Sequence, residues 1–329
     1  MQAVQQDEPG GPLHLRDVPV PRPKAGQVLV RMAAAPINPS DLGSLQGTVY
    51  SGERSYPFTP GIEGSGTVVA VGEGFLARFL SGRRVACSTL QPGNGTWAEY
   101  MLTSASLCVP LNKDVGLEEG AMLLVNPLTA LAMFEMASAG KHRAIVSTAA
   151  AGALGGMIMR LGKRHNVPII NIVHKPEQVE AVKRRGAQYV LNSEEPGFTA
   201  RLQELAQRLH ATFLLDAVAD GMTQKLADAA PYGSTILLYA NLSQRDSAVR
   251  PHTLLVKHLQ IKGWFLGNWM REKNLFQTLL LSRRAQALIT DDLRSPVRDR
   301  LPLSAAQDGL EQYISGMSAG KMLFVTGSS

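Results

Sequence analysis

Between Ala144 and Arg164 the chain reads AIVSTAAAGALGGMIMRLGKR, a short β-branched run, a turn of small residues and then a helix-forming segment. Ile145 and Val146 have the character of a buried parallel strand. Gly152, Gly155 and Gly156 fall where the chain must turn sharply and begin a helix. Such a turn is an anion site, because the first amides of the helix lack intrahelical partners and a missing side chain lets a pyrophosphate approach the backbone. The spacing departs from G-x-G-x-x-G in that Ala150 holds the first glycine position, with Gly152 and Gly155 in the second and third. Small residues also serve close packing of a helix on a sheet, so the turn alone leaves both uses open.

The next apolar run, Val167 to Val173 (VPIINIV), ends about twenty residues beyond the glycines, where a dinucleotide fold places the group that reads the adenosine ribose. His174 and Lys175 stand there. An acid that accepts from a ribose 2′-hydroxyl is missing and a cation for a 2′-phosphate is present, which favours NADPH over NADH. One charge-assisted contact contributes about 1.5–3 kcal/mol, enough for a preference of roughly tenfold or more. The plainer alternative is a solvated lysine at a strand end.

The 329 residues, 45% of them hydrophobic, suit two domains each with its own core. Two cysteines, Cys87 and Cys108, make neither a disulfide framework nor a zinc cluster, and point to a reducing cytoplasm. No signal peptide is read at the N-terminus. The longest apolar run, Ala121 to Ala139, is interrupted by Asn126, Pro127, Thr129 and Glu135, which argues against a membrane span. A net charge of +6 raises nucleic acid as a partner. The basic residues are scattered, however, and no aromatics interleave with them, so solvated helix faces are expected and nucleic acid is not.

From Gln2 to about Gly116 short β-like stretches alternate with Gly and Pro punctuation, as in Gln27 to Met32 and Gly64 to Val71. After about Leu117 helix and strand alternate, with strands expected at Val190 and Leu191, Thr212 to Asp216, Ser234 to Ala240 and Leu259 to Phe265. The fold class is therefore α/β: a doubly wound parallel-sheet dinucleotide-binding domain plus a mostly antiparallel β domain. One long helical stretch is expected from Asn268 to Ile289. The boundaries expected are 1–118 with 266–329 for the β domain, which the C-terminal tail rejoins, and 119–265 for the dinucleotide-binding domain.

Seven landmarks together resemble the medium-chain dehydrogenase/reductase superfamily over essentially the whole chain: VPVPRPKAGQVLVRMAAAPINPSD, FTPGIEGSGTVVAVGEG, GTWAEY, VNPLTA, the glycine turn, LLDAV and GKMLFV. The resemblance implies a GroES-like catalytic domain beside the Rossmann domain. It also places the catalytic zinc ligands of the alcohol dehydrogenases on Asn38, Ile62 and Val125. None of these can stand in for thiolate or imidazole at a tetrahedral zinc, so no metal is expected. The zinc-independent branch, with its quinone reductases and 2-enoyl thioester reductases, is the one resembled. INPSDLGSLQG, VNPLTA, YANLS and KGWFLGNW lean toward the enoyl reductases.

By that resemblance Asn126, Thr129, Gly152, Ala153, Leu154, His174, Lys175, Tyr239, Leu242, Trp264, Phe265, Leu266 and Lys321 would line an NADPH site, and the protein would be a homodimer. The function implied is hydride transfer from NADPH to a quinone or an α,β-unsaturated carbonyl. A trans-2-enoyl thioester reductase of fatty-acid metabolism is one alternative, and a nucleotide- or RNA-binding protein that keeps the fold is another. Negative charge develops on the substrate oxygen and must be met by donors, for which Tyr50, Asn38 and a hydroxyl of the cofactor itself are the candidates. Enoyl reductases carry their tyrosine where this chain has Val49, so Tyr50 serves only if the loop shifts by one residue. Asp41 reads as a helix cap rather than a base.

Overall fold

The structure is a computed structural model and describes residues 1–47, 55–89 and 95–326. The chain divides into two units, Met1–Pro127 with Ser282–Ser329, and Leu128–Leu281.

In the first unit β1 (Gln2–Gln6) and β2 (Leu13–Asp17) pair antiparallel as a separate ribbon. The longest strand, β3 (Gln27–Pro36), is followed by α1 (Pro39–Leu45), β4 (Glu63–Val71), α2 (Phe75–Leu80) and β5 (Arg84–Ser88). After these come β6 (Tyr100–Ser104), β7 (Cys108–Pro110) and α3 (Leu117–Ala121). Helix α4 (Asn126–Ala139) then carries the chain into the second unit.

That unit alternates strand and helix: β8 (Ile145–Ser147), α5 (Ala153–His165), β9 (Ile169–Val173), α6 (Pro176–Arg184) and β10 (Tyr189–Asn192). It continues through α7 (Phe198–Leu209), β11 (Phe213–Asp216), α8 (Gly221–Ala229) and β12 (Thr235–Leu238). It closes with α9 (Pro251–Lys257), β13 (Gln260–Gly263) and α10 (Leu266–Arg271). Helix α11 (Leu275–Leu288) returns the chain to the first unit, which ends with β14 (Val297–Leu301), α12 (Ala306–Ser315) and β15 (Lys321–Val325).

The first unit is built on a seven-stranded sheet in the order β14-β15-β3-β4-β5-β7, with β6 also pairing with β3. Its ladders are antiparallel except β14 on β15. The pairing of β15 with β3 ties the C-terminal strand beside the start of α1. One core cluster joins Val4, Ile37, Trp97 and Phe324, with the last two rings edge to face at 4.9 Å. A second gathers Val28, Val30, Met32, Leu80, Val85 and Cys87.

The second unit is a six-stranded parallel sheet in the order β10-β9-β8-β11-β12-β13. Every residue of β9 (IINIV) and β11 (FLLD) is buried, as a parallel sheet covered on both faces requires. Each fully buried Leu, Ile or Val contributes about 1.5–3 kcal/mol relative to exposure. The strand order reverses between β8 and β11, and all six strands point their carboxyl ends to one edge of the sheet.

The long helix expected from Asn268 to Ile289 is two helices, α10 and α11, broken at residues 272–274. Asn274 and Gln277 exchange bonds across the restart, Gln277 N donating to Asn274 Oδ1 at 2.9 Å and Asn274 N to Gln277 Oε1 at 3.0 Å. Lys273 pairs with Glu135 and lies 4.1 Å from the Trp269 ring centroid, which holds the break in place.

Candidate active site

At the carboxyl edge of the parallel sheet the chain leaves β8 through the small-residue turn. Ala149 takes the left-handed conformation there, with φ +50°. The strained position is therefore Ala149, one residue before the aligned Ala150, at a cost of about 1–2 kcal/mol for a residue with a Cβ. Gly152 caps α5 without a side-chain bond. The first intrahelical donor is Gly156, whose amide reaches the Gly152 carbonyl at 3.0 Å. The amides of Ala153, Leu154 and Gly155 precede that bond and point outward along the helix dipole. Gly155 is required for close approach, because a Cβ there would lie 2.5 Å from the Ala150 Cα.

Neighbouring strands bring other groups to the same edge. His174 and Lys175 follow β9 and are exposed. Tyr239 follows β12, its amide held by the Asp216 carbonyl at 3.0 Å. Leu242 donates to the Ala217 carbonyl at 3.0 Å and Trp264 to the Leu238 carbonyl at 2.9 Å. The end of β11 is rigid. The buried Asp216 carboxylate accepts from Val218 N, Ala219 N and the Thr223 hydroxyl at 2.9, 3.1 and 2.7 Å. Thr148 ties the end of β8 to it, its hydroxyl accepting from Ala217 N at 2.8 Å and donating to the Leu215 carbonyl at 3.1 Å. Burial, with the Asp216 charge nearby, pushes the Tyr239 phenol above its ordinary pKa. Three buried polar atoms in this unit, Ser147 Oγ, Asn171 Oδ1 and Trp264 Nε1, have no bonding partner among the described residues. In a native core such atoms call for a ligand or a water.

The first unit holds a second constellation, where β3 runs into α1. Asn38 precedes Pro39, whose fixed φ suits the first helical position. Asp41, in the first turn of α1, accepts from Asn38 N at 2.7 Å and, with its other oxygen, from Ile62 N at 3.0 Å. Its capping role is as expected. Glu63 opens β4 and accepts from Asn38 Nδ2 at 3.1 Å, Leu124 N at 3.0 Å and Val125 N at 2.9 Å. Lys321 opens β15 and directs its ammonium to Asn38 Oδ1 and, at 3.3 Å, to the Ile37 carbonyl.

All four side chains are buried, Asn38 and Asp41 completely. Burial raises the Asp41 pKa to about 7 against the pull of the Asn38 amide and the Lys321 ammonium. Burial likewise raises Glu63 and lowers Lys321, while each opposite charge works the other way. Two carboxylates and one ammonium share the pocket, so a proton retained on the carboxylates brings the cluster close to neutrality. Burial also pushes the Cys108 thiol up to about 12.

The sheet edge thus gathers Gly152, Ala153, Leu154, His174, Lys175, Tyr239, Leu242 and Trp264 from the residues singled out in the sequence. Phe265 and Leu266 continue from Trp264 and are half-buried. Thr129 is buried in α4, while Asn126, at the start of that helix, and Lys321 belong to the first unit. Tyr50 and Val49 lie outside the described residues. Glu63 was missed in the sequence. Its one signal was an acid immediately after Ile62 in a glycine-rich strand, and only the fold shows what it holds.

Two family profiles match the chain in order, one described as the alcohol dehydrogenase GroES-like domain over residues 24–113 and one as zinc-binding dehydrogenase over residues 153–281. A mitochondrial enoyl-acyl-carrier-protein reductase of Caenorhabditis elegans is 27% identical over 324 residues, spanning 96% of this chain and 92% of that protein. A quinone oxidoreductase of Rattus norvegicus is 29% identical over 329 residues, spanning 98% and 96%. A crystal structure from Mesorhizobium loti, described provisionally as an NADPH:quinone reductase, superposes with a TM-score of 0.92 at 31% identity and covers 99% of this chain and 98% of that one. Two domains matched in order, and identity at this level over nearly the whole of both chains, make this protein an oxidoreductase of the medium-chain dehydrogenase/reductase superfamily, in its quinone reductase and enoyl reductase branch.

Proposed function

We propose that the chain is an NADPH-dependent reductase of quinones or α,β-unsaturated carbonyls that works without a metal. The observation that carries this reading is the edge of the parallel sheet. There the first amides of α5, free of intrahelical partners, form a place suited to an anion, and His174 with Lys175 follows the neighbouring strand. When bound, NADPH supplies the hydride. The amides of Ala153 and Leu154 hold its pyrophosphate, Lys175 and His174 hold the 2′-phosphate, and Asn126, Thr129, Tyr239, Leu242, Trp264, Phe265 and Leu266 line the remainder. The partnerless Trp264 Nε1 is a donor suited to such a ligand.

The chain's own chemical task is to meet the charge that develops on the substrate oxygen. One well-placed donor contributes about 3–4 kcal/mol. The Tyr50 hydroxyl is the donor proposed, as acid; Asn38, expected from the sequence as a second donor, is completely buried with its side-chain amide on Glu63 and Lys321, so it orients its own segment instead. Titration by cofactor fluorescence tests the binding half, with NADPH expected to bind at least roughly tenfold more tightly than NADH. Turnover with a generic quinone tests the rest. No NADPH binding and no turnover would end this reading.

An enoyl thioester is the second substrate class, supported by the name of the nematode relative. Its product needs a proton placed on carbon, whereas a reduced quinone takes protons from solvent. Tyr50→Phe should therefore lower kcat on an enoyl thioester by roughly a hundredfold and affect a quinone much less. Equal small losses would remove Tyr50 from the chemistry.

A homodimer is proposed through β13, an edge strand paired only with β12 among the described residues, beside Leu255 and Val256 of α9, which are 79% and 61% exposed. Sedimentation reads the assembly directly. A reducing cytoplasm suits Cys87 and Cys108, buried thiols opposite each other on β5 and β7.

A further inference from the structure

Helix α2 reads FLARFL, and Arg78 is its one polar side chain. Its inner face is ordinary: Ala77 and Leu80 are buried in the core of the β domain with Val68 and Val85. A surface helix that buries one face is normally polar on the other. Here the outer face carries Phe75, Leu76 and Phe79, which are 88%, 45% and 46% exposed. Phe75 and Phe79 stand four residues apart and so share one side of the helix. Both ends are held. Gly26 N donates to the Glu73 carbonyl at 2.7 Å just before the helix, and Gly82 N to the Val68 carbonyl at 3.0 Å just after it. The apolar tip is thus built into the fold and is not a frayed end.

Cations surround this tip, drawn from separate segments. Arg83 donates through Nε to the Phe79 carbonyl at 2.7 Å, and its guanidinium lies 4.1 Å from the Phe79 ring centroid. Lys24, from the segment before β3, lines one open depression with Arg78, Pro23 and Glu73. Lys24 and Arg78 are exposed and, among the described residues, in no ion pair. Apolar side chains ringed by cations suit a surface of lipid headgroups, where the rings enter the acyl boundary and the cations stay at the phosphates. We propose that the α2 tip is a docking site for an anionic bilayer, with Phe75, Leu76 and Phe79 entering the interface and Lys24, Arg78 and Arg83 meeting lipid phosphates.

The size of the patch favours lipid over a protein partner. Three apolar side chains fall far short of the roughly twenty to thirty residues a side of a stable protein interface. A bilayer needs no matching pocket, only apolar reach and positive charge. No helix among the described residues is long and apolar enough to cross a membrane, so the contact is one of lying on the surface. On the reductase reading, docking sets the protein beside quinones dissolved in lipid; the docking itself does not depend on that reading.

The test is sedimentation of the full-length protein with vesicles of phosphatidylcholine containing about 30% phosphatidylglycerol, at about 0.1 M salt. The parent should bind, and should bind vesicles of phosphatidylcholine alone roughly tenfold more weakly. Phe75→Ser with Phe79→Ser should weaken binding roughly thirtyfold, and Lys24→Ser with Arg78→Ser roughly tenfold or more. All four side chains are exposed, and unchanged urea midpoints check that the variants fold. Lys163→Ser with Arg208→Ser removes the same charge from exposed positions of the other unit and should leave binding within about twofold. In Phe75→Trp, emission should shift to the blue on the mixed vesicles and be quenched by brominated lipid chains. Absence of binding to the mixed vesicles overturns the proposal and leaves the patch to a protein partner. Retained binding in the phenylalanine pair, or an equal loss in the Lys163 and Arg208 pair, also overturns it, since the net charge of +6 would then be adsorbing without a site. The assay needs no turnover, so an inactive parent would fail the reductase reading alone.

Discussion

The glycine turn and the lysine corner solve opposite problems. At the turn, backbone donors are left without partners and side chains are withheld, so that Ala153, Leu154 and Gly155 offer amides to whatever anion arrives. At the corner every strong group is already answered from within, Asp41 by two amides, Glu63 by two amides and a carboxamide, and Lys321 by two oxygens. The first is, on the proposed reading, a site kept open for a ligand. The second is a tie, in which burial makes each charge expensive unless its partners are held in place. The difference teaches where damage should show: at the turn in binding, at the corner in stability and in turnover.

The largest effect is expected at Glu63. Glu63→Leu removes the acceptor of three donors and leaves Lys321 with a single carboxylate, so stability should fall by about 3–5 kcal/mol, read as a lower urea midpoint. A loss below about 1 kcal/mol would mean the corner is not a tie at all.

Gly155→Val comes next, because the new Cβ and its methyls meet the Ala150 backbone at 2.5 Å. Overpacking of this kind costs about 1–3 kcal/mol. Unlike the change at Glu63, it should abolish NADPH binding in whatever protein remains folded. Unimpaired cofactor titration would show that the turn only packs.

The corner should also impose a pH dependence that the turn does not. Asp41 titrates near 3.8 when unfolded and at about 7 in the folded chain, so between those values the native state keeps a proton that the unfolded state releases. Stability from this group is then fully present at the acid end and falls as pH rises toward about 7. Glu63, raised by burial, acts in the same direction. Urea midpoints across that range should flatten in Asp41→Asn, and an unchanged slope would place the titration elsewhere.

The smallest effect is Lys175→Ala. It should weaken NADPH by roughly tenfold, or about 1.4 kcal/mol, and leave NADH and the urea midpoint alone. Equal weakening of both cofactors would make Lys175 a contact to a part they share.

Local pattern determined the dinucleotide-binding half. The continuous apolar run of β9, the small-residue turn and the glycine at 155 state their structure within about thirty residues, because strand burial, tight turning and helix initiation depend on near neighbours. The same locality made His174 and Lys175 legible as the end of that strand, and Asp41 legible as a cap. It could not show that Ala149 rather than Ala150 takes the left-handed conformation, nor that Lys273 would be drawn to Glu135 and Trp269 and break a helix that its own residues favour. At the corner the sequence determined only which atoms are missing, the thiolates and imidazole of a zinc site. What replaces them depends on β15 pairing with β3, which brings Lys321 to Asn38 across 283 residues of chain. A buried charge finds its partner through the tertiary fold, and no periodicity near either residue records that meeting.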